Sequence, residues 1–548
     1  MIAGIFLSFL LSYPKYNTEN MTVSVRYIKF FTAFFHFLHI LFQSAQTVDM
    51  KKVLIIGGGV AGLSAGIYAR LNGFRAIVCE RQKTAGGNLT AWKRGEYTID
   101  NCIHWLTGTN PHSPTYRTWV ELGALGNVNV YNGESLYTYE QDGKKLSLYR
   151  DIDRLENDML ELSPQDKKQI HALINAVKAL QGICAVAGEA HDKKADFISL
   201  LKSAPALLHY YRLSTGELAQ LFKHPLLRSF LSCFITEHFS ALSLLFVFAT
   251  FCGDNGGIPE GGSAAMAKRI ISRFEELGGE LLLGKRAVKI HQKNGKATSV
   301  SFADGTNIRA DYIVCACDIQ ITFETLLDMP MPKALQRQYT DKNAPRFSSY
   351  HCAFACDTDK LPFTGDLILP VPKNKQKLLG TSYLALREFT HAKSFAPEGK
   401  TVLQTLTFCD EQTAKDFVEL RKNKQEYNSK KQKLAEAVQT LIQRKFPKLT
   451  LQLLDVWTPA TYERYFGAEV GSWMSFVLPK KHLPRRLPST VSGIKNVVLA
   501  TQWQMSPGGL PVAADMGKRA LQAIVRKEKR KFLLPSFPLP KRQSKKKA

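Results

Sequence analysis

The chain has 548 residues, too many for one hydrophobic core, so two or more lobes are expected. A hydrophobic fraction of 45% and a charged fraction of 22% exclude a disordered or fibrous protein. The net charge of +26 is partly local, because from Arg526 to Ala548 ten Lys/Arg face the single Glu528.

Residues 1–49 form a leader with two apolar stretches, Ile2 to Leu11 and Phe30 to Phe42. The second contains His36 and His39 and falls short of the ~20 residues that span a bilayer. Lys29 suits a signal peptide, but Ser44-Ala45-Gln46 is a poor cleavage site. Met50-Lys51-Lys52 then opens an apolar strand, so Met50 is the expected start of the native protein, with a membrane anchor as the alternative.

Val53 to Ile56 predicts a strand, followed by glycines, a helix to Leu71, a stop at Gly73 and a second strand from Ala76 to Cys79. This is a βαβ unit. From Asp151 to Phe251 the pattern turns helical. Ser163-Pro164-Gln165-Asp166 reads as an N-cap with proline at the first helical position, and Ser214 to Glu217 as a capping box. The apolar runs Phe197 to Tyr211 and Phe239 to Phe251 read as core or lid helices.

After Gly253 strands return. Gly261-Gly262-Ser263 opens a helix that stops near Gly278, and strands follow at Glu280 to Leu283 and around Val288. A hairpin at Asn294-Gly295, a strand Val300 to Ala303, a turn at Asp304-Gly305 and a strand Tyr312 to Cys317 complete this block. Residues 331–480 are mixed. Asn496 to Ala500 predicts a last buried strand, and Ala513 to Lys527 a last helix.

Cys79, Cys315, Cys317, Cys352 and Cys356 lie in strand-like apolar runs, as buried hydrophobes do, and no Cys/His cluster has metal-ligand spacing. No metal is expected, and a reducing, cytoplasmic compartment fits. The basic, proline-containing tail reads as a disordered arm that either solubilises the chain or meets an anionic membrane surface. No nucleic acid is expected, since no helix-turn-helix, zinc-finger or RNP pattern accompanies the charge.

The chemistry concentrates at Gly57-Gly58-Gly59-Val60-Ala61-Gly62, a G-x-G-x-x-G placed after a strand and before a helix. Gly57 permits the turn, Gly59 lets a pyrophosphate approach the backbone, and Gly62 lets helix and strand pack closely. The helix N-terminus then faces the phosphates. Glu80 ends the second strand, where a carboxylate binds a ribose 2′-OH and repels a 2′-phosphate, so the cofactor is FAD or NAD rather than NADP.

Gly86-Gly87-Asn88-Leu89-Thr90 resembles the second glycine doublet of the FAD-binding amine oxidase superfamily. Gly95 to Asp100 with His104-Trp105, and Gly256 to Gly262, extend the likeness, as does Pro507-Gly508-Gly509-Leu510-Pro511-Val512 near the end. From Lys51 to about Val525 the chain resembles phytoene desaturase-like oxidoreductases, the group with carotenoid desaturases, carotenoid isomerases and retinol saturase. The resemblance implies FAD, held by Gly86, Gly87, Asn88 and Leu89 in addition to the first loop. It further implies a Val288 backbone contact to adenine, and a flavin loop at Gly508, Gly509, Leu510, Pro511 and Val512. One departure is Ala500-Thr501-Gln502-Trp503, where the family usually has a glycine; there the Thr501 hydroxyl and N–H are expected to meet the ribityl phosphate.

The implied fold class is α/β, a Rossmann-type FAD-binding domain with a discontinuous, mixed α+β substrate domain. The FAD domain takes residues 50–150, 253–330 and 481–527; the helical lid takes 151–252, the substrate domain 331–480 and the tail 528–548. The implied function is an FAD-dependent oxidoreductase acting on C–C bonds of an apolar polyene or lipid-like substrate, by desaturation, saturation or isomerisation. The electron donor or acceptor is open. A flavin amine oxidase and an FAD-containing lipid-binding protein without net redox activity are the alternatives. No catalytic residue is assigned. His104 is the candidate for proton transfer, with plain packing beneath the flavin as the other reading. Trp105 and Trp503 are candidate pocket walls, and Glu463 with Arg464 a candidate structural ion pair. The expected location is cytoplasmic, peripheral on the inner membrane face.

Overall fold

The strand Lys52–Ile56 (β1) and helix Val60–Leu71 (α1) lead into the strand Arg75–Cys79 (β2), the unit that the sequence predicts. A computed structural model describes residues 50–181, 201 and 204–535. The leader, much of the Phe197 to Tyr211 run and the last thirteen residues, 536–548, lie outside the described residues. β1 is central in a five-stranded parallel sheet, flanked by β2 and Glu280–Leu282 on one side and by Tyr312–Cys315 and Val497–Leu499 on the other. Helices cover one face, and the other is covered by the antiparallel strands Ala287–Lys293 and Lys296–Phe302 with the helical turn Ile321–Leu326, which is why β1 is a continuous apolar run rather than an alternating one. On α1 the small residues admit the C-terminal helix Leu510–Lys527: Ser64 Oγ donates to the Ala514 carbonyl at 2.7 Å. The loops at the carboxyl ends of β1 and β2 thus stand where open α/β sheets bind ligands.

The substrate domain is a seven-stranded sheet in the order Gln452–Trp457, Phe347–Asp357, Lys400–Asp410, Tyr383–Glu388, Asp366–Pro370, Ser135–Gln141, Lys144–Tyr149. Its pairings are antiparallel except that Asp366–Pro370 runs parallel to Ser135–Gln141. The last two strands correct the domain plan, since residues 135–149 belong to this sheet and not to the FAD domain. One face packs on the helix Lys424–Lys445 through Tyr350, Cys352, Phe354, Leu403 and Val438. The other face looks toward the FAD domain.

Helices within 152–252 pack on the hairpin Ser135–Tyr149 through a buried cluster that includes Tyr137, Ile174, Phe230 and Phe248. The capping box is present: Ser214 Oγ accepts from Glu217 N at 3.2 Å, and Glu217 Oε2 accepts from Ser214 N at 2.8 Å. At Ser163 the arrangement differs. Its hydroxyl donates to Asp166, whose carboxylate also accepts from the N–H groups of Lys223 and His224, so the residue joins two helical segments rather than capping one. Among the described residues no helix is long and apolar enough to cross a membrane.

The tail begins later than expected. Arg526 and Lys527 close the last helix, and Leu533 N donates to Asn72 Oδ1 at 2.7 Å, so residues 528–533 fold back onto the FAD domain.

Candidate active site

The first glycine loop is shaped by close approaches of backbone. A Cβ on Gly62 would run into the Gly57 carbonyl, and one on Gly57 would stand 2.9 Å from the Ala316 oxygen. At Gly59 the nearest atom to such a Cβ is Gly87 Cα at 3.9 Å, so this position faces open space that protein does not fill. Gly86 and Gly87 have φ of +120° and +59°, a backbone that other residues rarely adopt. Gly86 N donates to the Gly58 carbonyl at 2.8 Å, which brings the two glycine-rich segments together. Glu80 accepts from Gly58 N and Gln82 N, each at 2.8 Å. A carboxylate offers about four acceptor positions, so two remain for ribose hydroxyls. Val288 is the extra residue of a β-bulge between Ala287 and Lys289, so its backbone has no ladder partner and it lines the same cavity.

The loop at Gly508 and Gly509 is fixed by Gln502, which the sequence did not single out. Its Oε1 accepts from Gly509 N at 2.8 Å, and its Nε2 donates to the Trp473 carbonyl at 3.2 Å. Leu510, Pro511 and Val512 then open the C-terminal helix at the cavity, with first-turn N–H groups that have no intrahelical partner. Thr501 is a correction. Its N–H donates to Gln504 Oε1 at 2.9 Å and its Oγ1 accepts from Trp503 N, so its backbone N–H is committed within the chain. Leu89 turns its side chain into the core beside Ile103 and Ala267.

Asn88 Oδ1, Ser472 Oγ and Trp473 Nε1 are buried without a hydrogen-bond partner in the chain, and all three residues line this cavity. Orphaned polar atoms are costly unless a ligand meets them. Together with the space at Gly59 they fit a large polar cofactor lying across both glycine loops.

From these loops a cavity of about 2480 Å³ continues over the inner face of the seven-stranded sheet. His104 stands at the junction, its ring stacked on Trp473 at 6.5 Å. Burial, reinforced by the Arg387 guanidinium, holds its imidazole well below its ordinary pKa. Its neutral form is therefore favoured. Trp105 is a wall, its ring filling the space that a Cβ on Gly256 would occupy. Trp503 borders the cavity but is 4% exposed, and most of its ring packs against Tyr339 and Phe476 in the core below the parallel sheet. Trp473 lines the cavity as well.

Beneath His104 lies a buried polar set with no motif in the sequence. Arg387 binds Asp366 through Nε and Nη2 and donates from Nη1 to the Ile103 carbonyl at 3.3 Å. His351 stacks on Trp457 at 4.5 Å, and its Nε2 shares hydrogen bonds with Ser349 and Tyr462. Burial pushes the His351 imidazole down to about 3. Glu463 pairs with Arg421 at 3.3 Å rather than with its neighbour Arg464.

Residues 60–525 match the model of the flavin containing amine oxidoreductases. The chain belongs to that family. Its cofactor is FAD, and it is an FAD-dependent oxidoreductase of the carotenoid desaturase and isomerase-like branch. It is 25% identical over 488 residues to prolycopene isomerase 1 of an Oncidium hybrid cultivar, covering 82% of this chain and 78% of that one. To the 4,4'-diaponeurosporene oxygenase of Staphylococcus haemolyticus it is 21% identical, over 87% of this chain and 97% of the other. Among solved structures, an oxidoreductase from Methanosarcina mazei has a TM-score of 0.55 at 16% identity, covering 86% of this chain and all of that one. Cyclohexylamine oxidase from Brevibacterium oxydans has a TM-score of 0.52 at 15% identity, over 88% of this chain and 100% of its own. At such identity these structures speak to the fold alone.

Proposed function

We propose that this flavoenzyme acts on C–C bonds of an apolar polyene or lipid-like molecule, by desaturation, saturation or isomerisation. The observation that carries the reading is the apolar chamber joined to the flavin cleft, walled by Phe234, Phe239, Phe246, Val247, Leu406 and Phe408. FAD, held by the loops at Gly57–Gly62, Gly86–Leu89 and Gly508–Val512, supplies hydride exchange. The chain supplies the rest. Trp105 and Trp473 wall the junction and exclude water. Trp473 stacks on His104, which, kept neutral, offers one imidazole N–H donor and one ring-nitrogen acceptor there. The relatives named for prolycopene isomerisation and diaponeurosporene oxygenation support a polyene substrate.

An amine substrate is the weaker reading. Asp366, the carboxylate beside this junction, is already taken up by Arg387, so an ammonium group would find no free anion there. An apolar substrate dissolves in bilayers, so we also propose peripheral contact with an anionic membrane surface, using the basic C-terminal arm.

The test is anaerobic titration of the holoprotein with polyenes, amines and reduced nicotinamide nucleotides, following flavin absorbance and the products formed. Flavin reduction by a polyene, or geometric conversion of one without net reduction, supports the reading. Reduction by amines with no change in any polyene overturns it.

A further inference from the structure

The inner face of the seven-stranded sheet carries a polar rung. Asp366 pairs in register with Arg387, Arg387 with Gln404, and Gln404 with Ala353, so three polar side chains cross adjacent strands side by side. Asp366, Arg387 and Gln404 all line the chamber. Side chains two residues on share this face, and there the rung is Ile368, Ala385 and Leu406. Tyr383 and Phe408 follow on the same strands, two residues further. On these three strands the floor is thus polar at one level, beside Ile103 and His104, and His351 borders it from the strand Phe347–Asp357.

That level is not electrostatically idle. Arg387 and Gln404 are 8% and 6% exposed, and the Gln404 Nε2 has no hydrogen-bond partner. Arg387 spends three of its five N–H groups on Asp366 and the Ile103 carbonyl. A plain hydrocarbon in the chamber leaves the amide and the remaining guanidinium donors unmatched. A carboxylate matches them but brings a second negative charge beside Asp366, which already neutralises Arg387. An ammonium group offers no acceptor to the amide or to the remaining guanidinium N–H groups. A neutral oxygen satisfies every term.

We propose that the substrate is an apolar chain that ends in one neutral oxygen, a hydroxyl or a carbonyl, received by Gln404 and Arg387. The inference rests on the polyene or lipid reading above and narrows it. It places the oxygen-bearing end beside His104 and the rest of the chain over Ala385, Leu406 and Phe408.

The experiment measures binding to the oxidised holoenzyme by quenching of tryptophan fluorescence. The ligands are two polyenes of equal length, one terminating in a hydroxyl and one wholly hydrocarbon, with a long-chain amine as a third probe. The wild type is expected to prefer the hydroxylated polyene by roughly 5- to 150-fold, the range for a buried polar group left unmet. Gln404→Leu, similar in volume, is expected to bring the ratio of the two dissociation constants toward one. Arg387 is left intact because its removal strands Asp366. Equal affinity of the wild type for both polyenes overturns this inference and leaves the polyene reading standing. So does a preference unchanged in Gln404→Leu. Binding of the amine with neither polyene bound overturns the underlying reading. Should Gln404→Leu not fold, the wild-type ratio alone decides.

Discussion

Gly86 donates its N–H to the carbonyl of Gly58 at 2.8 Å, and Gly59 and Gly86 form an isolated parallel bridge, so two loops far apart in role are one hydrogen-bonded cradle. The glycines in it do separable work. Gly59→Val places a side chain in the space left for the pyrophosphate, with no protein atom within 3.9 Å of its Cβ. The variant is expected to be soluble and folded by circular dichroism but colourless. Gly62→Ala drives a methyl into the Gly57 carbonyl and is expected to lower the thermal midpoint of the protein itself. A yellow Gly59→Val protein would show that the cofactor lies elsewhere.

Glu80 holds Gly58 and Gln82 by their N–H groups while facing the cavity. Glu80→Ala removes both acceptors and the expected ribose contact. FAD affinity is expected to fall by about 1.5–3 kcal/mol, the scale of hydrogen bonds to a charged group. Equilibrium dialysis of the variant against FAD measures it, and an unchanged dissociation constant would remove Glu80 from the site.

The two chamber histidines set a pH dependence. Both are neutral in the fold, His351 with a pKa near 3 and His104 well below its ordinary value, each chiefly through burial. Unfolded histidine titrates near 6.5, so below that pH the unfolded chain binds more protons than the folded one. The stability that these groups contribute is therefore full above about pH 6.5 and is lost as pH falls toward the folded pKa. Each contributes at most about 1.4 kcal/mol per pH unit. Thermal unfolding from pH 6.5 to 5, where few carboxylates titrate, should show a shallower slope in His351→Gln than in the wild type. Parallel slopes would mean that His351 takes up its proton as readily in the fold as in the unfolded chain.

The legible parts of this protein are those where one local pattern determines the outcome. The β1–α1–β2 unit, the Asn294-Gly295 hairpin and the Ser214 cap all rest on neighbours within a few residues, and all are present. The polar rung was not legible, because Asp366, Arg387 and Gln404 come together only through strand register, and no spacing in the sequence encodes it. The core packing of Trp503 was hidden for a related reason: its position after the last strand places it at the cavity, but Tyr339 and Phe476, from distant segments, take up most of its ring. Strands 135–149 were assigned to the FAD domain by chain order, and their partner, Asp366–Pro370, is more than two hundred residues away.

The clasp at the C-terminus decides how membrane binding is tested. Asn72 receives Leu533 N on Oδ1 and donates from Nδ2 to the Leu533 carbonyl at 3.2 Å, while Arg530 donates to the Asn72 carbonyl at 2.6 Å. Phe532 packs on Tyr68 at 5.8 Å. Cutting after Val525 would strip this clasp and the last helical turn from the FAD domain, and loss of membrane binding would then say nothing about charge. Cutting after Pro535 removes only 536–548, which carries Lys541, Arg542, Lys545, Lys546 and Lys547 and no acid. Near an anionic surface each such residue is worth about 1 kcal/mol, and the attraction is screened as the Debye length falls from ~10 Å at 0.1 M salt to ~3 Å at 1 M. The full chain is expected to co-sediment with phosphatidylserine vesicles at low salt and to be released at ~1 M. The chain cut after Pro535 should lose most of that binding while keeping its FAD and thermal midpoint. Equal, salt-insensitive binding by both forms would exclude the arm and assign membrane contact to the folded body.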